Sequence, residues 1–419
     1  MPESNASRNG FHPASLDAVN FLLSDVRGAL GPYLNVFLIT QQHWSQSAVG
    51  LVTTIGGLLG LAAQVPIGAA IDASRAKRGL VVVALAVLAL GATTIWLAPA
   101  FWPVLVANTL IAVVGDVFGP AVAALTLGLY RRETLARRLG RNAAFDHAGN
   151  VAIAVVAGAV GYAFSQDAVF LLVPVFAALT IAAVLSIPAG AIDHARARGA
   201  DAPPDGAAAA APTAASGWRV LVRNRPLIIF GCCAMLFHFA NAPLLPLVGQ
   251  KLATANPEWA TAMMSACIIA AQGVMLPIAL LVGRTADSWG RKPLFLVAFA
   301  VLPVRAALYT LWDNSVWLAG VQLLDGVGAG IFGALTPLVI ADITRGTGPY
   351  NTAQGAVATL QGVGASLSGL VAGLIVDHFG YAPAFLTSGA VAAAALAVFF
   401  LFMPETAPAR SPASIEPGN

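Results

Sequence analysis

The sequence predicts an all-α membrane protein: twelve transmembrane helices arranged as two pseudo-symmetric six-helix bundles. Three observations carry that expectation. Of the 419 residues, 58% are hydrophobic and only 10% charged, against roughly 25% charged in a soluble domain, so the surface cannot face water all round. The apolar residues gather into twelve runs near or above the about 20 residues a helix needs to cross a bilayer, and backbone groups in lipid leave helices as the only reading for runs of that length. The second six runs repeat features of the first at a nearly constant offset.

The runs cover 16–39, 47–71, 79–99, 101–130, 141–164 and 167–188, then 225–249, 259–283, 292–312, 316–341, 351–376 and 382–403, and are called spans 1 to 12 below. They divide the chain into a polar tail (1–15), a first bundle (16–188), a linker (189–224), a second bundle (225–403) and a second tail (404–419). The linker is rich in Pro, Gly and Asp around the run Ala207 to Ala211 and reads as flexible. The N-terminal tail has no cleavable signal pattern, so span 1 is expected to be retained.

Charge placement sets the orientation. All but Arg27, Lys251 and Arg305 of the 22 Lys and Arg lie in the tails or in connections that follow even-numbered spans. Positive loops stay cytoplasmic, which puts both termini and the linker inside a bacterial inner membrane. The basic residues therefore follow topology, and no nucleic acid is expected as a partner. All eight tryptophans fall near span ends, where an indole suits the boundary between hydrocarbon and headgroups. Cys232, Cys233 and Cys267 lie within spans without metal spacing and read as small buried residues.

Span 1 carries Asp25 and Arg27, then Gly31-Pro32, a kink signal. The two charges stand about 200° apart around a helix and cannot share a face. Span 7 repeats the design: Ala29 to Leu34 corresponds to Ala240 to Leu245, 211 positions on. Gly68 pairs with Gly283, Pro120 with Pro337, Gly149 with Gly364 and Gly158 with Gly373, at offsets of 215 to 217. Such a duplication is what parallel-repeat transporters show. Spans 4, 5, 10 and 11 are rich in glycine, which lets helix backbones approach closely in lipid.

Between spans 8 and 9 stands Gly283-Arg284-Thr285-Ala286-Asp287-Ser288-Trp289-Gly290-Arg291-Lys292, and between spans 2 and 3 a worn copy, Gly68 to Arg78, with Asp72, Lys77 and Arg78. The pair resembles the G-x-x-x-D-[RK]-x-G-R-[RK] loops of the major facilitator superfamily of secondary transporters. That resemblance covers about residues 16–403. It implies alternating access, with the bundles rocking about a central site, helices 1, 4, 7 and 10 lining the cavity, and the loops at Asp72 and Asp287 latching one state.

Ionisable groups inside a bilayer are costly unless paired or hydrated, so Asp25, Arg27, Asp116 (span 4) and Asp325 (span 10) become the substrate or proton candidates. Each is alternatively half of a structural ion pair, and for Arg305 in span 9 the structural role is expected. Asn108 stands where the family's proton-coupled members carry an arginine, and the same count in the second half falls on Asp325. His238 and Asn241 on span 7 and Gln361 on span 11 either line a route or join helices. Asp146, His147 and Asn150, early in span 5, read as a gate network at the cytoplasmic end. Two ligands are too few for a metal. Gly149, Gly158 and Gly161 resemble the start of the drug:proton antiporter signature of helix 5, but Tyr162 replaces its proline and the closing glycines are missing. No phosphate-binding loop or hydrolase pattern stands out, so no enzyme and no cofactor are expected; a proton gradient is the expected driving force. The expectation is a monomeric secondary transporter exporting a small organic molecule in exchange for protons, with proton-coupled uptake of a nutrient or siderophore-like metabolite, or a non-transporting sensor, as alternatives.

Overall fold

The computed structural model describes residues 11–407 apart from 29, 75, 131, 195, 199–223, 256 and 345–349; of 25–28, 30, 72, 132, 133, 136, 198 and 351 it describes the backbone alone. Every span is helical: Pro13–Gly28 with Leu30–Thr40 (span 1), Gln46–Ala73, Lys77–Leu97, Phe101–Leu129, Arg132–Ala163 and Val169–Leu185 (spans 2 to 6). The second half follows with Arg225–Asn241 and Leu244–Ala255 (span 7), Ala260–Trp289 (8), Arg291–Leu308 (9), Ser315–Val321 with Leu323–Thr344 (10), Tyr350–Phe379 (11) and Tyr381–Phe402 (12). Large exposed hydrophobic side chains such as Val65, Val83, Leu90, Val175, Val304 and Leu401 cover the outer surface, as a lipid-facing belt requires.

The breaks have local causes. Span 7 gives way at Ala242-Pro243, where the ring removes a backbone donor, and the chain re-enters helix with Leu247 N–H on Pro243 O at 3.0 Å. In span 1, Gly31 and Pro32 fall in the first turn of the second segment, a position proline suits. Span 10 breaks without proline at Gln322, whose side chain bonds Tyr309 and Asp325. Helix starts are capped by side chains: Ser45 accepts from Ala48 N–H, Asn224 from Leu227 N–H, and Asn314 from Val316 and Trp317 N–H.

Three expectations are corrected. Span 5 begins at Arg132 rather than 141, because its basic first turns continue the helix past the apolar run and fold Arg138 and Arg141 onto Asp17. The first part of the linker packs under span 4, with Asp193 N–H on Gly128 O at 3.0 Å, rather than hanging free; residues 199–223 of the linker lie outside the described residues. Cys232 is exposed rather than buried, unlike Cys233 and Cys267.

Two apolar cores correspond to the two bundles. One gathers spans 1 to 4 and 6 around Phe118, Leu125 and Phe170, the other spans 7 to 12 around Phe230, Phe295, Phe299 and Phe399. A third, smaller cluster of Tyr33, Val36, Ala157, Ala253, Ala260 and Met264 joins the bundles. The internal repeat is visible in backbone contacts. A Cβ on Gly149 would lie 2.1 Å from Phe21 O of span 1, and one on Gly364 2.1 Å from Met235 O of span 7. Gly158 meets Ser265 of span 8, and Gly373 meets Gln46 O of span 2. Spans 5 and 11 thus each touch the first helix of their own bundle and cross to the second helix of the other.

Gly149→Ala and Gly364→Ala each force apart two helix backbones within a bundle, so each lowers unfolding stability by about 1–3 kcal/mol. Gly283→Ala, where an added Cβ meets open space, leaves it within about 0.5 kcal/mol. Thermal melts of the purified variants compare the three directly.

Candidate functional site: a cleft between the bundles

The connections after even-numbered spans form one face of the molecule, here the basic face. Phe11 packs edge-on to Tyr130 there, and Glu405, just beyond span 12, reaches the start of span 9. At the opposite, far face the bundles are shut. Thr54 Oγ1 of span 2 donates to Ser366 O of span 11 at 2.6 Å, and a Cβ on Gly50 would lie 2.3 Å from Gly369 O. Tyr33 and Ser265 hydroxyls bond at 2.7 Å, Gln166 Nε2 donates to Pro257 O at 2.8 Å, and the rings of Tyr162 and Trp259 lie 4.7 Å apart.

Closer to mid-depth the seams hold at Leu61 against Gly362 and at His147 Nδ1 against Gln272 Oε1, 3.2 Å apart. Beyond these points, toward the basic face, Gly68, Gly273, Gly283 and Gly355 look onto open space, and Leu276, Leu280 and Leu281 are exposed. The described residues of the two bundles therefore meet at the far face and at mid-depth and part toward the basic face, with a cleft between them.

Asp116 lies past the middle of span 4, part-exposed, with no hydrogen-bond or ion-pair partner among the described residues. Its face of the helix continues through Gly119, Pro120 and Ala123, all exposed. Gly333, the residue matching it in the repeat, also faces open space on span 10. In hydrocarbon a bare carboxylate would cost several kcal/mol; beside a hydrated cleft it would not. On span 11, Gln361 shares a face with Gln354, turned away from the exposed Leu367 and Leu374. His238 Nδ1 donates to Ala234 O at 2.9 Å, and the ring stands edge-on to Phe332 of span 10, centroids 5.0 Å apart. Asn241 is part-exposed at the end of the first helix of span 7.

Other expected site residues turn elsewhere. Asp325 pairs with Arg305 of span 9 and takes a second bond from Gln322 Nε2 at 3.1 Å, with side-chain exposures of 17% for the aspartate and 2% for the arginine. Gln322 also accepts from the Tyr309 hydroxyl. The pair joins two helices of one bundle, so the alternative of a structural ion pair is the one the geometry supports. Asn108 donates to Val52 O of span 2 at 3.3 Å and ties spans 2 and 4 together. Asn150 Nδ2 donates to the backbone O of Asp146, and His147 crosses to Gln272 of the other bundle. Asp25 and Arg27 lie on the first helix of span 1, but their side chains lie outside the described residues, as does that of Asp72.

The loop between spans 8 and 9 is held within its own bundle. Gly290 adopts φ +88°, a conformation suited to glycine, and a Cβ there would meet the Glu405 carboxylate at 2.6 Å. Glu405 accepts the backbone N–H of Arg291 and Lys292 at 2.9 and 3.0 Å. Partial burial pulls its pKa upward, but these bonds and those from Ala407 and Thr406 outweigh it and hold the carboxyl below its usual range. Arg291 pairs with Asp342 of span 10 at 3.1 Å and with Asp287 at 2.8 Å; the Asp287 side chain is 90% exposed and, among the described residues, pairs within its own bundle. In the first bundle Lys77 donates to Ile71 O at 2.7 Å and Arg78 to Leu185 O at 2.9 Å. Among the described residues, Asp287 makes no contact with the other bundle of the kind expected of a latch.

Sequence reasoning missed a second buried charge cluster. Asp17, at the start of span 1, is contacted by Arg138 at 2.7 Å and Arg141 at 2.6 Å, and Arg138 is fixed in turn by Asn142, which donates to Thr126. The signal is two arginines three apart on the early turns of span 5, but the apolar run opens only at Arg141 and leaves Arg138 in the preceding loop.

Asp325→Asn leaves Arg305 buried without its counter-charge and is expected to destabilise the protein by roughly 3–5 kcal/mol. Asp116→Asn removes no such partner and should leave the melting temperature nearly unchanged. Thermal unfolding of both variants in the same detergent measures the contrast.

Comparison with known proteins agrees with this architecture. The sequence profile described as Major Facilitator Superfamily matches residues 16–302 and 268–418. Uncharacterized MFS-type transporters from two strains of Mycobacterium tuberculosis are each 49% identical over 392 residues, covering 94% of this chain and 93% of theirs. A multi-drug resistance efflux pump PmrA homolog of Lactococcus lactis is 29% identical over 184 residues, 43% of this chain and 44% of that one. Among solved structures, a variant of the nucleoside transporter NupG superposes with TM-score 0.76 over 94% of this chain and 100% of its own, at 15% identity, a likeness of fold. The chain belongs to the major facilitator superfamily.

Proposed function

We propose that the protein is a secondary active transporter that exports a small, partly apolar organic molecule across the bacterial inner membrane in exchange for protons, working as a monomer with its basic face in the cytoplasm. The observation that carries this reading is Asp116, a carboxylate within a span, unpaired among the described residues and set on an open helix face. Such a group binds a proton or a cationic substrate but is weakened toward one by the presence of the other. Loading by a proton from the far side and by substrate from the basic side, in alternate states, is a complete exchange cycle. Asp325 takes no direct part, because Arg305 already neutralises it. His238, Asn241 and Gln361 offer neutral hydrogen bonding and Phe332 an apolar wall, which suits a cationic or zwitterionic compound with an aromatic or aliphatic body. The partial likeness to a drug efflux pump supports export.

Purified protein in liposomes, tested with ethidium as a model organic cation, discriminates the alternatives. An imposed pH gradient should drive ethidium movement opposite to the proton, and Asp116→Asn should abolish that drive while leaving gradient-independent exchange measurable. Flux indifferent to the gradient removes the proton from the reading; net movement in the same direction as the proton indicates uptake by symport; binding without any flux indicates a sensor.

A further inference from the structure

Asp377, near the end of span 11 at the far face, does not belong to the cleft and had no expected role. Its Oδ1 accepts Gln46 N–H at 2.9 Å and its Oδ2 accepts Ser47 N–H at 2.8 Å. Those residues are the first two of span 2, in the other bundle. The first N–H groups of a helix have no intrahelical acceptor, and here each one is accounted for. Ala48 N–H bonds to Ser45 Oγ at 3.2 Å, Val49 N–H to Ser45 O at 3.2 Å, and the two that remain are taken by a carboxylate from across the interface. Negative charge at that end also meets the positive pole of the helix dipole. Gln46 Nε2 adds a bond to the Tyr381 hydroxyl at 2.9 Å. Tyr381 opens span 12 directly after Gly380, whose φ of +86° makes the reversal. One turn back, Gly373 lets the two backbones close, since a Cβ there would lie 2.4 Å from Gln46 O.

Among the described residues, the other seam lacks this device. By the repeat offset of 215 that pairs Gly158 with Gly373, the residue matching Asp377 is Tyr162, which rests on the Trp259 ring beside the start of span 8. One seam is shut by ring packing and uncharged hydrogen bonds, such as Gln166 Nε2 on Pro257 O, the other by an ionised group on a helix end. From the carboxylate seated on the Gln46 and Ser47 N–H groups we infer that Asp377 is the latch of the far gate: it sets the resting orientation by capping a helix of the opposite bundle, and it must let go whenever the far face opens.

The chemistry suits a reversible gate. Charge-assisted bonds to two backbone donors are directional and short in reach, so a small separation of spans 2 and 11 breaks both together. Asp377 is exposed, so on release the carboxylate and both N–H groups pass to water rather than into an apolar environment. The latch therefore biases the equilibrium without trapping it. The inference rests on the alternating-access reading, but on neither the substrate nor the proton.

The test is a distance measurement between the bundles, which does not depend on transport. In full-length protein with Cys232, Cys233 and Cys267 replaced by alanine, spin labels at Ala100→Cys and Glu258→Cys report the far face, and labels at Gly140→Cys and Gly355→Cys the basic face. Asp377→Asn, which keeps the shape but loses an acceptor and the charge, should raise the ratio of far-open to far-closed molecules by roughly tenfold or more. Gln46→Pro approaches the same bonds from the other side. Ser45 is already extended, at φ −67° and ψ 151°, as the residue before a proline prefers, and proline is at home in a first helical turn, so the variant deletes one latch donor without unseating the helix. It should shift the distances in the same direction. Folded Asp377→Asn or Gln46→Pro protein with both distance distributions equal to those of the parent overturns the inference.

Discussion

An ionised side chain in a membrane-spanning helix must have either a counter-charge or water, and this single requirement sorts the charged residues of the chain. Asp17 is satisfied by Arg138 and Arg141, Asp325 by Arg305, and Asp342 by Arg291. Each pair binds helices of one bundle to one another, so the pairs stiffen the two bodies and add nothing to the contact between them. Asp116 has no such partner among the described residues and sits on an open face. Its requirement is met only if the cleft holds water, and a hydrated cleft between two stiff bodies is the physical minimum for a carrier.

The interface between the bodies is built differently. Among the described residues it shows close approaches at Gly50, Gly158, Gly161, Gly369 and Gly373, a small apolar cluster around Tyr33 and Met264, a few hydroxyl and amide bonds, and the Asp377 carboxylate on the start of span 2. No ion pair appears among these contacts. Close packing without strong electrostatic ties can be undone and remade at small cost, while the bundles themselves, with buried ion pairs and aromatic cores, cannot. The division of labour follows from where charge and glycine fall along spans 2, 5, 8 and 11.

Much of this was legible in the sequence. Apolar run length places most span ends to within a few residues; spans 7 and 8 end six residues later, and span 5 starts nine residues earlier, where Arg132 to Gly140 reads as a loop because hydropathy cannot distinguish a solvated helix from a turn. The repeat Gly149/Gly364 and Gly158/Gly373 forecasts contacts that the structure shows. Asp116 and Asp325 look alike in sequence, since both are lone acids in apolar helices; only the fold reveals that Arg305, one span earlier, lies against Asp325. The same holds for Asp17 and Arg138, 121 positions apart. The break at Gln322 carries no proline or glycine at the site, because it is set by side-chain bonds to Tyr309 and Asp325. Asp377 escaped notice because its partners are backbone groups, which no motif records.

The claim on which the account depends is that the face of span 4 bearing Asp116 borders water reached from the basic side. Single cysteines at Gly119 and Ala123, in a background without native thiols, can be exposed to a membrane-impermeant maleimide from either side of sealed vesicles. Rapid labelling from the basic side and protection from the far side is the predicted outcome. Resistance to the reagent from both sides, in protein that remains folded, would place this face against lipid or sealed protein and contradict the account.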